Sequence, residues 1–286
     1  MFGNQIKTVL LLGLLSGVLI GVGNLVGGIQ GMTIALIFAI GINFFSYWFS
    51  DKIVLKIYKA KPITESDNKR LYQIVNEVSH LADLPMPKVY IIASEHPNAF
   101  ATGRNAKHAA VACTSGILEL MNDSELKGVM AHEISHIRNK DILISSIAAT
   151  IAAVISYVAM MARWAAIFGG FSGNRDGNNG GIIELIVLAI VTPLIATLIQ
   201  LAISRSREFL ADESAAKMLH NPFGLANALE KLDSEIKHKP LKAMASTEAT
   251  SHMFIANPFK AKGFVKLFMT HPPMTERIKK LKSMNI

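Results

Sequence analysis

From Thr8 to Ser50 the chain runs 43 residues without an Asp, Glu, Lys, Arg or His, and no other feature restricts its fold as strongly. A helix crosses the hydrocarbon of a bilayer with about 20 apolar residues, so this run is too long for one span and long enough for two. Its centre, Gly27-Gly28-Ile29-Gln30-Gly31, offers the turn of a hairpin. Two more uncharged runs follow, 21 residues from Ile142 to Ala162 and 20 from Leu185 to Ser204. The pattern predicts four transmembrane helices in two hairpins, with spans at about residues 8–27, 32–49, 142–163 and 184–204. A cleaved signal peptide fits the first run badly, because no small-residue cleavage site leads into polar sequence and a second apolar stretch follows at once. Arg163 and Glu184 flank the later runs closely, which keeps a pair of buried core helices open as the alternative there. Gly13, Gly17 and Gly21, four residues apart, form a small-residue stripe on which another helix can pack.

Lys and Arg near the span ends set orientation. Lys7 precedes the first run, Lys52, Lys56, Lys59 and Lys61 follow the second, and the link between the two carries no charge. The N-terminus and residues 51–141 are therefore expected in the cytoplasm, the Gly/Asn-rich link 169–181 outside, and everything after Ser204 inside again. Much of the formal net charge of +8 then lies on the cytoplasmic side. It suits anionic lipid headgroups, and plain topology signalling accounts for it equally well, so no nucleic-acid partner is implied. A single Cys113 excludes an internal disulfide.

The chemistry centres on His132-Glu133-Ile134-Ser135-His136. At about 100° per residue the two His side chains fall about 40° apart on one helical face, where both imidazoles can reach one ion. Neutral imidazole suits Zn²⁺, and a catalytic site adds one further protein ligand and an open position for water. Glu133 stands beside the pair as a general base. Asn122-Asp123-Ser124-Glu125 reads as a capping box, and Leu126, Val129, Met130 and Ile137 form an apolar stripe, so the motif is expected on a helix.

Upstream, Thr64-Glu65-Ser66-Asp67 resembles another capping box, and Leu71, Ile74, Val75, Val78 and Leu81 recur at helical spacing. Residues 88–93, 99–102 and 108–112 read as strands, so a small sheet precedes the metal helix. An edge strand beside a metal site can hold an extended peptide by its backbone, and Asn98, Ala99, Phe100 and Ala101 are the candidates for that edge. Beyond the last apolar run, Glu208 and Asp212 lie four apart on one helical face. Glu208 can supply the third ligand and Asp212 can hold a ligand imidazole, or both can simply pair with Arg205 and Arg207. His271 can stabilise an oxyanion, or it can belong to a helix start with Pro272 and Pro273.

Four motifs together carry a family resemblance: Ala131-His132-Glu133-Ile134-Ser135-His136, Asn98-Ala99-Phe100-Ala101-Thr102-Gly103, Ser204-Arg205-x-Arg207-Glu208-Phe209-x-Ala211-Asp212 and Phe268-Met269-Thr270-His271-Pro272-Pro273. In this order they resemble the HtpX family, bacterial membrane-bound zinc metalloproteases related to the CAAX prenyl proteases. The resemblance spans nearly the whole chain, the segment from His252 to Lys266 departing most. It implies His132, His136 and Glu208 as ligands of one Zn²⁺ per chain, Glu133 as catalytic base, and Asp212 as the acidic residue that follows the ligand Glu. It also implies endoproteolysis of misfolded or damaged membrane proteins at the cytoplasmic membrane, under stress.

The expected architecture is an α+β membrane protein with a zincin-like catalytic domain of helices and a small sheet. Residues 1–50 and 142–204 form the two transmembrane hairpins, while 51–141 and 205–286 form the two cytoplasmic parts of the catalytic domain. Protein substrates and the lipid bilayer are the expected partners. Two alternatives stand beside the protease: a CAAX-type prenyl-protein protease, and a membrane scaffold with structural zinc. A structural site is normally closed by a fourth protein ligand, often Cys, and Cys113 is the only one in the chain.

Overall fold

A computed structural model of the chain describes residues 51–168, 187–238 and 272–286, with scattered positions between 6 and 49. The chain divides into two units, one made of Met1–Gln5, Tyr47–Leu143 and Ser204–Ile286, the other of Ile6–Ser46 and Ile144–Ile203.

In the first unit a four-stranded mixed sheet has the order β1 (Lys61–Pro62), β2 (Lys88–Ile92), β4 (Ala110–Thr114), β3 (Ala99–Thr102). β2 and β4 are parallel, and β1 and β3 pair antiparallel on the outside. The sequence anticipates β2 and β3 but places the last strand at 108–112. The side chain of Asn105 accepts from the His108 N–H at 3.1 Å and closes a 3-10 turn over Ala106–His108, so pairing starts only at Ala110. Gly103 makes the bend between β3 and this turn: its φ is +118°, and a Cβ there would come within 2.1 Å of the His108 carbonyl oxygen.

Helix α1 (Lys69–Leu81) buries Leu71, Ile74, Val75 and Val78, whereas Leu81, in its last turn, is exposed. Fully burying such aliphatic side chains stabilises by about 1.5–3 kcal/mol each. The capping box read at Thr64 to Asp67 is instead a separate turn, in which the Asp67 carboxylate accepts from both Thr64 N–H and Thr64 Oγ1 at 2.7 Å. The helix cap is Asn68, which accepts from the Leu71 N–H at 2.9 Å.

A short helix α2 (Ser115–Leu120) leads to α3 (Asp123–Arg138). Here the expected box forms in full, Asn122 accepting from the Glu125 N–H and Glu125 from the Asn122 N–H, both at 2.9 Å. Two orphan donors at the helix start are thereby satisfied. α3 lies in the core of the unit, with Leu126, Val129, Met130 and Ile137 packed among α1, the sheet and α6 (Pro222–His238). Gly128 marks its closest approach to α6, since a Cβ there would meet the Leu225 nitrogen at 2.5 Å. Cys113 sits fully buried on β4 with its Sγ 3.7 Å from Met130 Sδ. On the opposite face of the sheet Phe100 packs with Ile92, Ala112 and Tyr58.

Helices α4 (Asp141–Phe168) and α5 (Thr192–Leu219) carry the third uncharged run and the greater part of the fourth. Asp141–Met160 and Ala189–Leu219 are long and apolar enough to cross a membrane. Leu143, Ile147, Tyr157, Met160, Leu194, Ile195 and Leu198 are exposed on them. α5 does not stop where charge begins. No Gly or Pro lies between Ser204 and Asp212, so the helix continues from the uncharged run through Glu208 rather than yielding to a new one. In the second unit Ala148, Ala152, Ile155, Ala196, Ile199 and Ile203 form an apolar core with Leu15. A Cβ on Gly13 or Gly17 would meet open space among the described residues, so neither packs closely against a helix there. Most of the first uncharged run and all of 169–181 lie outside the described residues.

Candidate metal centre

One helical turn brings the two imidazoles of α3 together, with Nε2 of His132 and Nε2 of His136 3.1 Å apart. Glu208 reaches the same point from α5, its Oε2 3.6 Å from His132 Nε2 and its Oε1 3.5 Å from His136 Nε2. All three donor atoms lie within 4.8 Å of one another. Donors of a tetrahedral site with bonds of about 2.0–2.2 Å stand about 3.3–3.6 Å apart, so the residues present fit a zinc-sized ion.

Behind each imidazole stands a carboxylate, and behind each carboxylate a guanidinium. Asp212 lies 3.0 Å from Nδ1 of His132. Arg277, with none of its surface exposed, donates from Nε and Nη2 to Asp212 at 2.8 and 2.7 Å, and its Nη1 is 3.2 Å from Glu208. Asp141 stands 2.6 Å from Nδ1 of His136, and Arg207 pairs with Asp141 while donating to the Asn139 carbonyl at 2.8 Å. Glu133 is buried beside the pair, its Oε2 accepting from the Ala101 N–H of β3 at 2.8 Å.

Charge in this cluster is one-sided. Glu133, Asp141, Glu208 and Asp212 are four buried carboxylates against two guanidinium groups, Arg207 and Arg277, which leaves two negative charges for a divalent cation to balance. Burial alone would depress the His132 pKa, but the carboxylates of Asp212 and Glu208 outweigh it and hold the imidazole at about 10. Burial works the same way on His136, and Asp141 raises it. Burial pushes Glu133 above the usual carboxylate range, with the two neighbouring imidazoles opposing the shift. The two histidine shifts describe surroundings that favour positive charge on the imidazoles.

Of the other residues singled out in the sequence, Asn98, Ala99 and Phe100 are all buried, and the Phe100 ring packs with Tyr58 on the opposite side of the sheet. Thr114 N–H donates to the Asn98 carbonyl at 2.9 Å, so in the antiparallel alternation the backbone groups turned away from β4 are those of Ala99 and Ala101. A cavity of about 290 Å³ opens beside His136, with Gly103, Arg104, Arg138 and Lys140 in its lining. His271 lies outside the described residues. Two residues of the cluster, Asp141 and Arg277, have no assigned part in the sequence reading, and Arg207 enters it only as an alternative partner of Glu208 and Asp212. Asp141 borders an uncharged run and passes for a topology flank, Arg207 passes for a partner of Glu208, and Arg277 is hidden in a terminal helix rich in Lys.

A model of peptidase family M48 matches residues 65–285. The chain belongs to peptidase family M48. Among its relatives, a "Protease HtpX homolog" of Desulfatibacillum aliphaticivorans is 54% identical over 279 residues, covering 98% of this chain and 89% of that one. Another, of Syntrophobacter fumaroxidans, is 49% identical over 283 residues, with 99% and 100% covered. The crystal structure of S. mikatae Ste24p superposes with a TM-score of 0.59 at 19% identity, covering 98% of this chain and 66% of the Ste24p chain. That likeness is one of fold. The M48 chain is thus a metalloprotease of the HtpX type, in which His132, His136 and Glu208 stand close enough together to share one metal ion.

Proposed function

We propose that the chain is a zinc endopeptidase of the cytoplasmic membrane, in which His132, His136 and Glu208 hold one Zn²⁺ and Glu133 is the general base. The observation that carries this reading is the convergence of three metal-binding donors from two helices, with a buried carboxylate beside them. When bound, zinc lowers the pKa of water toward about 7 and polarises the scissile carbonyl. The protein's own groups do the rest. Asp212 and Asp141 accept from the Nδ1–H of the two imidazoles, which leaves each Nε2 lone pair for the ion. Glu133, held at Oε2 by the Ala101 amide, uses its other oxygen to take the proton of the attacking water and deliver it to the leaving amine nitrogen.

The substrate main chain pairs along the outer side of β3, through the backbone groups of Ala99 and the carbonyl of the half-buried Ala101, with Asn98 and Phe100 beside them as residues that pair with β4 instead. Only unfolded or extended segments can add to an edge in this way, which suits misfolded or damaged membrane proteins as substrates. His271 is proposed as a donor to the oxyanion. Residues 1–50 and 142–204 are proposed as two transmembrane hairpins that leave 51–141 and 205–286 on the cytoplasmic side, from the Lys residues bordering the runs.

The test uses the purified full chain in detergent: metal content, and hydrolysis of an unfolded model protein with and without a chelator. About one zinc per chain and chelator-sensitive cleavage are expected. Bound zinc without any cleavage moves the scaffold alternative ahead, and preference for a prenylated peptide over the unfolded protein moves the CAAX alternative ahead. Phosphatase fusions after Ile286 should be inactive on the outer side of the membrane, and strong outer-side activity reverses the topology.

A further inference from the structure

We propose that Asp141 and Arg207 are positioning residues that fix the His136 imidazole for the metal. This rests on the zinc reading above and extends it to residues that touch no metal donor atom of Glu208 or His132. The arrangement begins at the end of α3, whose C-cap is Asn139. Lys140 follows with φ +56°, a left-handed turn that an L-residue adopts at some cost, and α4 starts at the next residue. This turn folds Asp141 back against the ring of His136, five positions earlier, at 2.6 Å from Nδ1.

Arg207 comes from a different helix, one residue before Glu208. Its guanidinium pairs with Asp141 and donates to the Asn139 carbonyl, one of the last carbonyls of α3 with no partner inside the helix. Both side chains of the pair are nearly buried, at 5% and 6% exposure, so neither is held by solvent. Three restraints follow from one pair. The Asp141 carboxylate selects the Nδ1–H tautomer and hence a free Nε2. Arg207 sets the carboxylate's rotamer. The bond to Asn139 ties the α3 terminus to α5, so that the segment carrying Glu208 and the segment carrying His136 are fastened one residue away from the ligand on one side and three on the other.

The experiment measures metal affinity by chelator competition on full-length protein in detergent, with the Co²⁺ visible spectrum as a second readout, for Asp141→Asn, Arg207→Met, the double variant and His136→Ala. Partners behind a ligand imidazole typically matter 10–100-fold in metal affinity. Asp141→Asn is expected to fall in that range with an altered Co²⁺ spectrum, and Arg207→Met in the same direction. The double variant should lose less than the sum of the two single losses, because Arg207 acts partly through Asp141 and partly through its bond to Asn139. Affinity within twofold of the parent in both single variants, or additive losses, overturns the proposal. His136→Ala separates the two levels: if it keeps full affinity, the metal-site reading itself fails, whereas if it loses the metal while Asp141→Asn does not, only the positioning role fails. Should Asp141→Asn and Arg207→Met not fold, Asp141→Glu keeps the charge and shifts the carboxylate by one methylene. It is expected to weaken binding severalfold, and parental affinity there overturns the proposal as well.

Discussion

Replacing Glu133 with Gln isolates proton transfer from everything else at this centre. The side chain is 5% exposed, and its one fixed bond is the Ala101 N–H at Oε2, 2.8 Å away. A Gln carbonyl oxygen accepts the same hydrogen bond, so β3 and α3 keep their contact and the amide nitrogen takes the place of the other carboxylate oxygen. None of the three donors at His132, His136 and Glu208 is touched. The excess of two negative charges drops to one, which still favours a cation. The loss is therefore confined to a base that accepts and returns a proton, a contribution of about 10²–10⁴ in rate. At about 1.36 kcal/mol per tenfold this raises the barrier by about 2.7–5.4 kcal/mol. The assay pairs zinc content with cleavage of an unfolded protein, on variant and parent in one detergent. Bound zinc at the parental level with cleavage down by two orders of magnitude or more is expected. Parental cleavage by Glu133→Gln would refute the base assignment.

Glu208→Ala removes a donor, so both metal occupancy and cleavage should fall, and excess zinc should restore part of each; occupancy at the parental level would remove Glu208 from the ligand set. Arg277→Met leaves Asp212 and Glu208 without their buried cation, and losing one partner of such a pair costs about 3–5 kcal/mol, which denaturant unfolding in detergent should register. Gly128→Ala places a methyl group against the α6 backbone at Leu225, and overpacking of this kind costs about 1–3 kcal/mol; unfolding at the parental denaturant concentration would show that α3 and α6 can separate freely.

Local signals in the sequence transferred well to the structure. The capping box at Asn122 is an affair of four neighbouring residues, and it forms as read because no distant group competes for its donors. Others did not. At Thr64 the Asp67 carboxylate closes a separate turn, and Asn68, one residue on, caps α1 instead. The fourth uncharged run ends at Ser204 by hydropathy, but backbone hydrogen bonding does not end where charge begins, and α5 carries on to Leu219. The strand β1 is two residues long and exists only by pairing with β2. Asp141 and Arg277 had the least legible roles: each is a charge whose neighbours in sequence suggest solvent, and each is buried by a partner 65 or 66 residues away.

The burial of Cys113 has a practical consequence for mapping this chain. Thiol reagents attack the thiolate, and here the only sulfhydryl is sealed between β4 and Met130, with burial pushing its pKa well above the ordinary value. To a maleimide the folded natural protein behaves as if it had no cysteine. Single cysteines can then be placed one at a time along residues 1–50 or 169–181 without first substituting Cys113, and a membrane-impermeant label will report which side of the bilayer each one faces.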